Sequence, residues 1–267
     1  MQGDRSMGLL DGKTGLVVGI ANDRSYAYFI AQALIENGAT CAFTHLPGDK
    51  NQRRTAKAVE KLGVTDPMLV PLDAGSDEEI DAVMTQYAER YDRMDFLIHS
   101  IAFADRTWLA KGNFHETPRQ AYLDAIDISA YTLLGLARAA KPIMERSGGG
   151  SILGMSYYGA EKVVPGYNVM GVAKSCLEST MRYLAAELGE FGIRVNTISG
   201  GYLRTLASSA VGGADEISKH NDVRAPLRRN VEGEDVGKTA AYLVSDLSSG
   251  VTGENIYVDC GVNTIGV

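Results

Sequence analysis

Apolar residues along the chain fall into two alternating patterns. Short runs rich in Val, Ile, Leu, Phe and Cys occupy 15–19, 40–44, 68–72, 95–99, 151–155, 194–198 and 255–258. Their length and continuity predict buried strands. Between them the apolar positions recur at helical spacing. In 26–37, Ile30, Ala33 and Leu34 share one face, and 78–91 repeats the pattern. A longer stretch places Val169, Val172, Ala173, Cys176, Leu177, Thr180, Met181, Leu184 and Leu188 on one stripe. Strands that alternate with helices predict a parallel sheet covered on both faces. Seven strands with right-handed crossovers give a single-domain, Rossmann-type, doubly wound α/β fold. Ligands then bind beyond the carboxyl ends of the strands, so the residues just after each strand are the ones to read for chemistry.

Composition narrows the picture. The chain has 267 residues, 45% hydrophobic and 22% charged, which is enough for one well-filled domain. A net charge of -7 argues against nucleic acid as a partner. No apolar run approaches the ~20 residues that a membrane span needs, and the polar start Met1-Gln2-Gly3-Asp4-Arg5-Ser6 lacks a signal segment. Cys41, Cys176 and Cys260 are scattered and odd in number. They read as reduced thiols in a cytoplasmic protein, with no metal-ligand spacing. Residues 1–8 are expected to be an N-terminal extension and 9–267 the folded domain.

After the first strand the chain reads Gly19-Ile20-Ala21-Asn22-Asp23-Arg24-Ser25-Tyr26-Ala27 and opens into a helix. Gly19 and the small residues that follow let backbone N–H groups approach a pyrophosphate at a helix N-terminus, which favours a dinucleotide. This is not a standard G-x-G-x-x-G, because Ser25 and Ala27 stand where further glycines are usual. Asp73, before Ala74 at the end of the third strand, is placed either to accept from an adenine amino group or to cap a turn. After the second strand, Thr44-His45-Leu46-Pro47 holds no ribose-binding acid and no adjacent base. Lys50, Arg53 and Arg54 lie further on, where a solvated helix face is expected. NADH is the expected cofactor, ahead of NADPH.

The most informative spacing is Tyr167 to Lys174. Seven residues is close to two helical turns, so a phenol and an ammonium are expected on one face beyond a strand. A second pair, Tyr158 and Lys162, precedes Val163-Val164-Pro165-Gly166, which breaks any helix, and both are expected in a loop. His99 ends a strand and reads as structural.

Together these residues resemble the short-chain dehydrogenase/reductase superfamily, and within it the bacterial enoyl-acyl-carrier-protein reductases. The resemblance runs from about Leu9 to Val267. It rests on Gly19…Ser25-Tyr26-Ala27, His99-Ser100-Ile101-Ala102-Phe103-Ala104, Ser156-Tyr157-Tyr158-Gly159-Ala160-Glu161, Tyr167-Asn168-Val169-Met170-Gly171…Lys174 and Arg204-Thr205-Leu206-Ala207. Ordinary superfamily members carry a serine where Tyr157 stands and a tyrosine where Met170 stands; here the phenol lies one turn earlier, a shift of roughly 4–5 Å along a helix.

The resemblance implies NADH-dependent reduction of the trans-2 double bond of an enoyl thioester on acyl carrier protein, by a homotetramer. It implies catalytic roles for Tyr157, Tyr167 and Lys174, with Ala104, Tyr157 and Tyr167 against substrate. The cofactor would meet Gly19, Ser25, Tyr26, Leu46, Asp73, Ala74, Ile101, Lys174, Leu203, Arg204, Thr205, Leu206 and Ala207. A small-residue segment at about 203–225 reads as a substrate lid or as a surface helix. The chain departs from the family pattern at Gly201-Tyr202, where Gly-Pro is usual, and at Cys260, where glycine is common. Loss of the proline's fixed φ predicts a less rigid loop after Tyr202. Other readings of the same fold are a short-chain carbonyl reductase and a non-catalytic dinucleotide sensor.

Overall fold

The computed structural model describes residues 8–203 and 222–266. Seven strands form one sheet: β1 (Thr14–Val18), β2 (Thr40–His45), β3 (Leu69–Pro71), β4 (Phe96–His99), β5 (Gly150–Ser156), β6 (Ile193–Gly200) and β7 (Asn255–Val258). Their order is β3-β2-β1-β4-β5-β6-β7 and every pairing is parallel. This is the doubly wound arrangement expected from the alternating pattern. The order reverses between β1 and β4, which opens a crevice at their carboxyl ends.

The helices are α1 (Tyr26–Glu36), α2 (Asp49–Lys61), α3 (Asp77–Arg90), α4 (Arg119–Ile126), α5 (Thr132–Arg146), α6 (Val169–Leu188) and α7 (Gly233–Val244). One apolar core lies between the sheet and α1, α2 and α7, around Phe43, Ile30, Leu34, Phe96 and Val236. The other lies against α3, α5 and α6, around Leu97, Tyr87, Leu133, Leu177 and Met181. Strands buried on both faces explain the near-continuous apolar runs.

Element boundaries differ from expectation for local reasons. β1 stops at Val18 because Gly19 turns to φ +107°. A Cβ there would lie 2.2 Å from the carbonyl oxygen of Ser100, so only glycine lets β1 and the β4 exit approach so closely. β3 is three residues long and carries Pro71, which is tolerated because β3 is an edge strand. Between α4 and α5 the chain makes a π-helical turn, Asp127–Tyr131, that the sequence pattern did not announce. It buries Ser129, whose hydroxyl both accepts from the Phe103 N–H at 3.0 Å and donates to the Phe103 carbonyl at 3.1 Å. The loop leaving β4 is thereby fixed from below.

Candidate active site

A cleft of about 1360 Å³ runs along the carboxyl ends of the strands. Small-molecule pockets usually fall at 300–1,000 Å³, so this one has room for a dinucleotide and a second ligand. Gly19, Ile20, Ala21, Asn22 and Ser25 line one stretch, at the start of α1. Ser25 caps that helix: its backbone is extended and its hydroxyl accepts from the Tyr28 N–H at 3.4 Å. The first turn of α1 holds no acid, so the positive end of its dipole is uncompensated by its own side chains. That is the feature an anionic pyrophosphate needs. The Tyr26 hydroxyl donates to the Gly201 carbonyl at 2.6 Å and so ties α1 to the exit of β6.

At the far end the cleft meets Leu46, Asp73 and Ala74. Of the two readings of Asp73, the turn-capping one holds in part. Its Oδ1 accepts from the Gly75 N–H at 3.0 Å, while Ser76 is the residue that caps α3. Arg54 departs from expectation: it is half-buried and lines the cleft with Asn51 and Thr55, while Lys50 and Arg53 do not. The Thr55 hydroxyl donates to the Ile20 carbonyl at 2.8 Å, which draws α2 toward the phosphate stretch and carries Arg54 with it.

At the other end stand Tyr157, Tyr167 and Lys174. Tyr157 follows β5 directly in extended backbone, and its ring meets that of Tyr167 at 4.8 Å between centroids and 67° between planes. Tyr167 also lies over Gly159, where a Cβ would come within 2.4 Å of the ring. Lys174 is buried on α6 and its Nζ donates to the Met155 carbonyl at 2.7 Å. Burial holds its ammonium down to about 8, against a smaller opposing pull from Glu178. Burial pushes Tyr157 up to about 12 and Tyr167 well above the usual phenol value, so both remain neutral donors. One turn beyond Lys174, buried Glu178 accepts from the Ser156 hydroxyl at 2.5 Å and from Asn255 at 3.1 Å, which braces the ends of β5 and β7.

The expected helical relation of Tyr167 to Lys174 needs correction. α6 begins at Val169, and Tyr167 sits outside it, in the turn before. Asn168, at φ 44° and ψ −121°, breaks the helical backbone between them. The estimate of a one-turn shift along a helix axis therefore does not describe how the phenol is placed. Tyr158 and Lys162 behave as expected: Tyr158 opens a single 3₁₀ turn and Lys162 is exposed in the following loop. His99 is fully buried. Thr132 spends its O–H on the Ile128 carbonyl at 2.7 Å, so its oxygen accepts from His99 Nε2, 2.8 Å away. Burial first, then the charge of Lys174, lowers His99 to about 3, so it stays neutral and structural.

Ile101, Ala104 and Leu203 line the same cleft, together with Phe103, Trp108, Leu109 and Met170, which give this end an apolar wall. Arg204, Thr205, Leu206 and Ala207 lie outside the described residues, as does the greater part of 203–225 and all of 1–7. Sequence reading missed Asn22, Arg54, Trp108 and Asn168. Asn168 left a signal, an asparagine after Pro165-Gly166 at a helix start, since asparagine tolerates left-handed backbone better than most residues. Arg229 is held by Asp235 at 2.6 and 3.1 Å at the start of α7.

A sequence profile described as Enoyl-(Acyl carrier protein) reductase matches residues 19–263. The chain is 48% identical over 260 residues to the enoyl-[acyl-carrier-protein] reductase [NADH] of Synechocystis, spanning 97% of this chain and 99% of that one. The chain belongs to the enoyl-acyl-carrier-protein reductase family. Among solved family members, the Bacillus cereus reductase with NADP+ and an indole naphthyridinone superposes with a TM-score of 0.94 at 44% identity, covering 98% of this chain and all of that one. The Anaplasma phagocytophilum reductase in complex with NAD gives 0.92 at 44% identity, covering 98% of each. The loop after Tyr202 that was expected to be less rigid in this reductase-family chain lies, beyond Leu203, outside the described residues. At Gly201-Tyr202 the backbone is held at both sides, by the Tyr26 hydroxyl and by the Gly201 N–H to Val258 carbonyl bond at 2.8 Å. Cys260 takes φ 59°, which accounts for the glycine usual there, and burial raises its thiol out of reactive range.

Proposed function

We propose that the protein reduces the trans-2 double bond of enoyl thioesters carried on acyl carrier protein, with NADH as reductant. The observation that carries this reading is the separation of labour at the inner end of the cleft. Lys174 is engaged by the Met155 carbonyl, while Tyr167 faces the apolar wall as an independent, neutral donor. When bound in the cleft, the reduced nicotinamide would supply the hydride that the β-carbon of the double bond receives. Negative charge then collects on the thioester oxygen. The Tyr167 hydroxyl stabilises that oxygen, and the α-carbon takes its proton to complete the reduction. Tyr157 packs edge-on against Tyr167 and holds its ring while lining the substrate pocket with Ala104. Lys174 would hold the ribose hydroxyls of the cofactor and add positive potential.

The residues around the cleft fit a dinucleotide: a helix end without its own acid, a glycine that no other residue can replace, and Asp73 and Ala74 at the adenosine end. Preference for NADH over NADPH is supported by the printed name of the Synechocystis relative; the Bacillus cereus structure holds NADP+, and Arg54 on the cleft is the residue that would answer a 2′-phosphate. A homotetramer is supported by apolar side chains left exposed on α5 and α6, Leu134 at 38% and Tyr183 at 72%. A cytoplasmic setting is supported by three free cysteines. Among the described residues no helix is long and apolar enough to cross a membrane. Residues 203–225 are assigned the role of substrate lid and 1–8 that of an extension.

The deciding experiment follows nucleotide oxidation with a trans-2-enoyl thioester and, in parallel, a 3-oxoacyl thioester, each with NADH and with NADPH. Rapid NADH loss with the enoyl substrate alone is expected. Turnover of only the 3-oxoacyl substrate would make the protein a carbonyl reductase, and tight NADH binding without turnover of either would make it a sensor.

A further inference from the structure

Asn168 combines three properties rarely found together. Its backbone lies at φ 44°, ψ −121°, a region that side chains other than glycine's avoid. It caps nothing, although it stands at the start of a 20-residue helix. Its side chain instead reaches the 105–113 segment: Nδ2 donates to the carbonyls of Trp108 and Ala110, each at 2.8 Å, and lies 3.0 Å from Asn113 Oδ1. All three partners are acceptors, which fixes the orientation of the amide. Within the segment it grips, Asp105 accepts from the Thr107 N–H at 2.9 Å and Asn113 donates to the Thr107 carbonyl at 2.7 Å. Asp105, Arg106, Trp108 and Leu109 of that segment wall the cleft, and Leu109 packs in one apolar cluster with Val169, Met170 and Tyr167.

We propose that Asn168 is a positioning residue that makes one unit of the Tyr167 turn and the 105–113 wall of the acyl pocket. This rests on the reading of Tyr167 as the catalytic donor. The strained backbone swings the Tyr167 ring off the axis of α6 and against Tyr157. The side-chain clamp then sets the distance between that phenol and the wall that an acyl chain would press against. A substrate that seats the wall correctly also seats the donor, and binding at one place is felt at the other. Strain persists at such positions only when surrounding contacts hold it, and here the three acceptors do so.

The test uses the full-length enzyme with two variants. Asn168→Gly keeps the backbone angle free of strain and removes the clamp; Asn168→Asp keeps the shape but turns a carboxylate toward the three acceptors. Trp108 is the only tryptophan in the chain, so acrylamide quenching of its fluorescence reports the wall directly. Expected in Asn168→Gly are an unchanged or higher melting temperature, stronger quenching, an unchanged Kd for NADH, a raised KM for the enoyl thioester and a kcat lower by about tenfold. Asn168→Asp should show the same quenching and kinetic pattern. A structural residue alone would lose kcat in step with melting temperature, and that result, or unchanged quenching with unchanged kinetics in both variants, overturns the proposal. Tyr167→Phe run alongside separates the two claims. If Tyr167→Phe loses turnover and Asn168→Gly does not, the positioning role fails while the site reading stands. If Tyr167→Phe keeps full turnover, the site reading fails and the positioning role with it, even where quenching shows the clamp to be real.

Discussion

α1 and α6 both begin at the edge of the same cleft, and they begin in opposite ways. Ser25 spends its hydroxyl on the helix it starts, in ordinary extended backbone. Asn168 spends its side chain on a loop about sixty residues earlier in the chain, in backbone that resists it. The first start is generic: it stabilises a helix whose remaining N–H groups are left for an anion. On the proposed reading the second serves a reaction, because the segment it holds packs against a phenol. A binding end can therefore be assembled from local rules, whereas a reacting end needs distant segments to agree.

The contrast can be broken most severely at the phenol. Tyr167→Phe should lower kcat by about 10²–10³-fold, the usual loss when one oxyanion donor is removed, while the NADH Kd measured by fluorescence stays put. Lys174→Ala should act the other way round, weakening NADH by about tenfold or more, since it removes a charge-assisted hydrogen bond and a buried cation. Titration gives the same answer more gently. Lys174 is depressed to about 8, so its charge is lost as pH rises through that value; NADH affinity should fall above pH 8 and be flat below it. The sign for stability is reversed. Below pH 8 the fold carries the cost of a buried charge, and between about 8 and the ordinary lysine value that cost is relieved, so Lys174→Met should raise the melting temperature at pH 7 more than at pH 10. Ser25→Ala is the smallest expected change: about 1 kcal/mol of stability from the lost cap, read by denaturant midpoint, with turnover at saturating NADH intact.

The same contrast explains what could be read from sequence. The seven strands were legible because burial on both faces writes a continuous apolar run. Gly19 and Lys174 were legible because each belongs to a single strand–turn–helix unit. The π-turn that delivers Ser129 to Phe103 was not, since its local residues, Asp127-Ile128-Ser129-Ala130-Tyr131, suit an α-helix equally well. Arg54 was misplaced because its exposure depends on Thr55 bonding back to Ile20, a contact across thirty-five positions. The spacing of Tyr167 and Lys174 pointed to two residues that do line one cleft, but for an incomplete reason: Tyr167 lies in the turn before α6, so the periodicity of one helix does not extend to it.

The two margins of the sheet are unequal. β3 is only three residues long and ends in Pro71, which has no N–H to offer a further strand. β7 offers four half-buried residues on the opposite margin. Among the described residues, strand addition between copies of this chain would therefore have to use the β7 margin. Two such margins paired edge to edge about a two-fold would occupy each other, so assembly by this route would end in a closed pair and not run on into a fibre.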